Sequence, residues 1–107
     1  KMVRAASQYP LIRNTTSRGE MILRPFGNGQ ELHYRNTNPL TRSPDWTVEV
    51  SKTGFINEAG RCLVMQTRVD NRRIYMVFLD GNGKSSTIAD SKRVRDWILA
   101  RNQTAAR

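Results

Sequence analysis

Six consecutive apolar or aromatic residues, Ile74-Tyr75-Met76-Val77-Phe78-Leu79, would leave a strand with no wet face. A strand of that kind belongs in the middle of a sheet and needs a packed layer on each side. The rest of the sequence has to supply those layers. One complete helix is legible near the end, where Thr87 followed by Asp90 resembles a capping box and Ile88, Val94, Trp97 and Ile98 form an apolar stripe. At the start, Lys1 to Gln8 reads as the end of a helix entered midway, stopped by Tyr9-Pro10. One helix and part of another do not cover both faces of such a strand, so part of the fold is expected to lie outside these residues.

Length sharpens that expectation. The 107 residues allow one domain at most and only a modest core. With 37% apolar and 25% charged residues the chain has globular proportions, and its mean hydropathy is −0.64. No apolar run approaches the roughly 20 residues of a membrane span. Neither a signal segment nor a small-residue cleavage site is recognisable. The 18 Lys and Arg against 9 Asp and Glu give a net charge of +9, which raises nucleic-acid binding as an alternative. The basic residues are spread over both halves, and runs such as Arg72-Arg73 and Lys92-Arg93-Val94-Arg95 are short. No basic arm is present. With Cys62 as the single cysteine, a zinc-finger site and an internal disulfide are both excluded.

Between the two ends the pattern is mainly β. After a polar loop at Asn14 to Gly19, the runs Glu20–Arg24 and Glu31–Arg35 flank Pro25-Phe26-Gly27-Asn28-Gly29-Gln30 and signal a hairpin. Leu32 and Tyr34 are expected on one face of its second strand, with Glu31, His33 and Arg35 on the wet one. Asn36 to Asp45 is rich in turn residues. Trp46, Val48 and Val50 alternate with polar residues into Lys52-Thr53-Gly54. A turn at Asn57 to Gly60 precedes a strand over Arg61 to Val69, and Asp70-Asn71 turns back into Arg73 to Leu79. The class is α+β: an antiparallel sheet with flanking helices.

Few residues in this pattern carry chemistry. Gly81-Asn82-Gly83-Lys84-Ser85 has the ending of a phosphate loop, but the required first glycine is replaced by Phe78, so a turn is the simpler reading. His33 has no second ligand or nucleophile near it in sequence and reads as a surface residue. Cys62, among apolar neighbours, reads as a small buried hydrophobe. The stronger signal is Ser51-Lys52-Thr53-Gly54 at the end of a strand. Lys-Thr-Gly is the third element of the serine β-lactamase and penicillin-binding protein signature. A substrate ending in a carboxylate calls for a fixed cation and a hydroxyl donor on a rigid edge, with glycine letting its backbone come close. The alternative is a solvated lysine where a strand runs into a polar turn.

The wider stretch favours the first reading. Asn36-Thr37-Asn38-Pro39-Leu40, then Trp46 through Lys52-Thr53-Gly54-Phe55 to Met65, resembles the carboxy-terminal half of the D-alanyl-D-alanine peptidases. These are low-molecular-mass penicillin-binding proteins, and the endopeptidase branch is the nearest in pattern. Ala89 to Ile98 resembles the family's final helix, so the likeness covers nearly the whole chain. It implies the serine β-lactamase/DD-peptidase (transpeptidase-like) fold, incomplete here, with residues 1–107 as the carboxy-terminal part of one catalytic domain. It also implies a periplasmic serine acyl-transfer enzyme with no cofactor. The substrates would be peptidoglycan peptides ending in, or cross-linked through, D-alanine, and β-lactams would bind covalently.

In the family a Ser-x-x-Lys element supplies nucleophile and base, and a Ser-x-Asn element completes the proton path. No serine in this chain has Lys three positions on or Asn two positions on. Tyr34-Arg35-Asn36 mimics a Tyr-x-Asn variant but stands where the family does not place it. The resemblance therefore assigns Lys52, Thr53 and Gly54 to substrate binding and the Phe55 backbone N–H to the oxyanion hole. Thr87 stands where relatives often carry arginine. The fragment alone is expected to be inactive, completed by an amino-terminal segment of the same domain. Two further possibilities stay open at this point: a basic nucleic-acid or cell-wall binding module without catalysis, and a degenerate relative complete as written.

Overall fold

The main sheet is built from three ten-residue strands, β3 (Thr47–Ile56), β4 (Gly60–Val69) and β5 (Arg72–Gly81), paired antiparallel in the order β3-β4-β5. Preceding them in the computed structural model are α1 (Met2–Ala6), α2 (Pro10–Thr16), the two-stranded hairpin β1 (Glu20–Leu23) and β2 (Leu32–Arg35), and a single 3-10 turn at Pro39–Arg42. Helix α3 (Ser86–Ala105) closes the chain. Residues 1–24, 27, 29–83 and 85–105 are described. The hairpin's turn residues Pro25, Phe26 and Asn28, and Lys84 of the phosphate-loop-like stretch, lie outside them.

The central strand is β4, not the Ile74–Leu79 run. Asp70 and Asn71, with φ of 54° and 63°, form a tight two-residue turn that brings β5 back beside β4, and among the described residues no other strand borders β5. One face of β5 carries Ile74, Met76 and Phe78 into the core. The other presents Tyr75, Val77 and Leu79 at 41%, 56% and 70% exposure. Its apolar character on both faces is thus met by a packed layer on one side only.

That core lies between the sheet and α3. Leu63, Met65 and Val69 of β4 and Met76 of β5 are buried with Leu40 of the 3-10 turn, and Trp46, Val48, Ile88, Val94, Ile98 and Leu99 pack around them. At about 25 cal/mol per Å² of apolar surface removed from water, each fully buried Leu or Met contributes roughly 1.5–3 kcal/mol. The opposite face is partly covered by the two short helices, α1 against β4 and α2 against β3.

Four expectations are corrected. Pro10 does not only stop a helix; it opens α2 as its first residue, where fixed φ and a missing N–H cost nothing. Helix α3 begins at Ser86, so Thr87 sits inside its first turn rather than capping it. Trp97 points outward at 60% exposure with Arg101 over its ring, and Leu99 takes the core position instead. All four residues of β2 are exposed, so among the described residues neither face of this strand is packed under a layer. His33, as expected, is a surface residue, 3.2 Å from Glu31.

A bulge fixes how β3 faces its surroundings. Val48 pairs with Thr67 and Val50 with Gln66, so one extra residue, Glu49, is inserted between them. Val48 consequently joins the core, while Val50 turns to the α1 and α2 side, lining a groove with Met2, Val3, Ala6, Ile12 and Val64. The expected single-face alternation of Trp46, Val48 and Val50 fails at this point. Glu49 itself is tied down by Arg13 at 2.9 Å, Arg68 at 3.3 Å and the Gln66 amide at 3.2 Å.

Candidate active site

Beyond the bulge the strand is regular from Val50 to Ile56, so its backbone groups alternate strictly between the β4 side and the open edge. The Ser51 N–H donates to Thr16 Oγ1 of α2 at 3.3 Å, which places it on the open edge. Thr53 and Phe55, two and four residues on, direct their N–H and C=O groups the same way. Helix α2 thus covers the edge as far as Ser51 and stops, and the strand is open from Thr53 to Phe55. The predicted oxyanion donor, the Phe55 N–H, is on this open stretch.

Side chains of the motif divide between the faces of β3. Thr53, paired with Leu63, is on the α3 face. It lines a cavity of about 210 Å³ together with Thr37, Gly54, Phe55, Arg61, Cys62, Thr87 and Ile88. Lys52 is on the opposite face, beside the apolar groove under α1. Its ammonium folds back to donate to the Thr53 carbonyl oxygen, which brings the charge to the open edge. The predicted residues are therefore brought together at one stretch of edge, but Lys52 does not line the cavity that Thr53, Gly54 and Phe55 share. A Cβ built on Gly54 meets no atom within 4 Å, so the glycine leaves the approach to the edge bare.

A clamped loop faces this stretch. Asn36 Nδ2 donates to the carbonyls of Thr16 and Arg18, both at 2.8 Å, and its Oδ1 accepts from the Asn38 N–H at 2.9 Å. Asn38 is fully buried; its Oδ1 accepts from the Leu40 N–H at 3.1 Å and its Nδ2 donates to Ser51 Oγ at 2.9 Å. Two asparagines whose amides satisfy neighbouring backbone in this way fix the loop as a turn. Thr37, held between them, places its hydroxyl 2.6 Å from that of Thr53. Asn36 of the Tyr-x-Asn mimic is thus engaged in holding the loop.

Sequence reasoning missed several of these residues. Thr37 was signalled only by its two flanking asparagines. Arg61 could be found by counting outward from the Asn57 turn, which sets it directly across from Phe55. Its guanidinium lies 4.4 Å from the centre of the Phe55 ring, within cation–π range. Cys62 is half-buried and lines the cavity, its Sγ 3.4 Å from the Ala59 carbonyl, so it is not the buried core residue expected. Thr87 is buried at the cavity wall. Among the described residues no three His, Cys, Asp or Glu side chains come together as a metal site.

The chain is similar to known proteins over most of its length. It is 42% identical over 100 residues to a D-alanyl-D-alanine endopeptidase of Escherichia coli (strain K12), covering 92% of this chain and 32% of that protein. To the D-alanyl-D-alanine endopeptidase of Pseudomonas aeruginosa it is 36% identical over 105 residues, 98% of this chain and 34% of the relative. It therefore spans about a third of the length of these curated relatives. Residues 2–83, which contain the open edge, the clamped loop and Lys52-Thr53-Gly54, match the D-alanyl-D-alanine carboxypeptidase family profile, and the chain belongs to that family.

Proposed function

We propose that this chain forms one wall of the active site of a periplasmic peptidoglycan DD-peptidase, an endopeptidase or carboxypeptidase that works through a serine acyl-enzyme. The observation that carries the reading is the strand edge of β3, covered by α2 up to Ser51 and open from Thr53 to Phe55, with Lys52-Thr53-Gly54 at the opening. A peptide ending in, or cross-linked through, D-alanine lies along this edge. The Lys52 ammonium leaves the Thr53 carbonyl to meet the substrate carboxylate, and the Thr53 hydroxyl donates to the same group. As a serine oxygen adds to the scissile carbonyl carbon, negative charge grows on the carbonyl oxygen, and the Phe55 N–H receives it. One such donor is worth roughly 3 kcal/mol of transition-state stabilisation.

The serine and its base belong to a segment outside these 107 residues, since no Ser-x-x-Lys or Ser-x-Asn occurs within them. That segment also completes the β-lactamase-like sheet. What supports this is the exposed face of Tyr75, Val77 and Leu79 on β5, and the share of the relatives that the chain spans. Alone, the chain binds weakly and turns nothing over.

The test is acylation of the full-length protein by a fluorescent penicillin, followed on a denaturing gel. We expect a labelled band, lost on competition with unlabelled penicillin and reduced at least a hundredfold in rate by Lys52→Ala. No label on a folded full-length protein, or full-rate labelling of Lys52→Ala, would sink the proposal.

A further inference from the structure

We infer that Arg61 is the cation of the cavity and binds a carboxylate of the ligand. The inference deepens the peptidase reading and rests on it, but it adds a residue that the Lys-Thr-Gly motif does not contain. Three observations meet at Arg61. It lines the cavity with the hydroxyl-bearing residues Thr37, Thr53 and Thr87, and among the described residues no acidic side chain lines that cavity. Among the described residues no carboxylate lies within ion-pair distance of its guanidinium, and of the arginines without such a partner it is the one that lines this cavity. The group also has a partner that orients it: cross-strand pairing sets Arg61 opposite Phe55, and the guanidinium carbon lies 4.4 Å from the centre of the Phe55 ring.

A guanidinium that faces a cavity beside three hydroxyls and has no counter-ion can take a planar carboxylate through two parallel N–H···O bonds. Lys52 does not line the cavity, because its side chain leaves β3 on the other face, and its ammonium meets the carboxylate from the strand edge. The two cations therefore bracket the open stretch, with Lys52 on the edge and Arg61 on the cavity side. The carboxylate that Lys52 meets at the edge and the Thr53 hydroxyl binds is met from the cavity side by Arg61. The ring beneath the guanidinium belongs to the residue whose N–H faces the reacting carbonyl, so carboxylate binding and oxyanion stabilisation are connected through Phe55.

The experiment uses the full-length protein and two probes, benzylpenicillin and its methyl ester, which differ only in the carboxylate. The readout is the ratio of their second-order acylation rate constants. We expect the wild type to favour the acid, Arg61→Gln to lower that preference about tenfold, and Arg61→Lys to recover part of it by restoring the charge without the fork. An unchanged ratio in Arg61→Gln, or equal losses with acid and ester, would show that Arg61 only supports Phe55 and would overturn the assignment. A wild type that neither probe acylates refutes the peptidase reading, and the assignment with it, and is a distinct result.

Discussion

Replacing Thr37 by valine removes one hydroxyl and little else. The β-branched shape and side-chain volume are kept, the loop stays clamped by Asn36 and Asn38, and the lost contact is the 2.6 Å approach to Thr53 Oγ1. Without it the Thr53 hydroxyl is free to rotate away from a substrate carboxylate. A net hydrogen bond between neutral groups is worth about 0.5–1.5 kcal/mol, and the exposure of Thr37 keeps this one near the middle, about 1 kcal/mol. Since 1.4 kcal/mol is tenfold, the acylation rate constant of the full-length protein should fall about fivefold. Thr37→Ser retains the hydroxyl and should recover at least half the loss. Thermal unfolding should show Thr37→Val destabilised by no more than about 1 kcal/mol, the value of that one hydrogen bond, and Thr37→Ser within about 0.5 kcal/mol of the wild type. Acylation of Thr37→Val at the wild-type rate, or equal losses in the serine and valine variants, would refute the argument that this hydroxyl orients Thr53.

Two predictions concern stability, read from denaturant midpoints. Gly60→Ala should cost at least about 2 kcal/mol, because φ is +68° and the new Cβ would meet Asp80 Cα and Oδ1 at 2.8 Å; a midpoint shift below 0.5 kcal/mol would contradict it. Leu63→Ala, at a side chain with no exposed surface in the middle of the central strand, should cost about 2–5 kcal/mol, and a cost below about 1 kcal/mol would contradict it.

Much of this architecture was legible in the residues. Alternation and turn chemistry located β3, β4 and β5 to within a few positions, since each strand is bounded by residues with a backbone reason to turn, such as Asp70-Asn71. Helix α2 was not legible. Asn14, Thr15 and Thr16 have poor helix propensity, and the helix is held by tertiary bonds, Arg13 to Glu49 and the Ser51 N–H to Thr16, that no local pattern announces. The position of the Ile74–Leu79 run failed for a related reason: apolar residues on both faces record what a strand can bury, and which neighbours it has depends on topology. At the site, the resemblance supplied Lys52, Thr53, Gly54 and Phe55. Thr37 and Arg61 lie on other elements, and only folding brings them to the motif.

The residue inserted at Glu49 decides the parity of everything after it. A strand has two faces and a period of two, so one additional residue exchanges the odd and even positions downstream. Were β3 regular through Val48, Val50, Lys52 and Gly54 would follow Val48 onto the core side. Thr53 would then leave the cavity, and the lysine would be directed at α3 and buried without a partner. The ion-paired bulge, three residues upstream of the motif, therefore determines which of its two polar side chains the cavity receives.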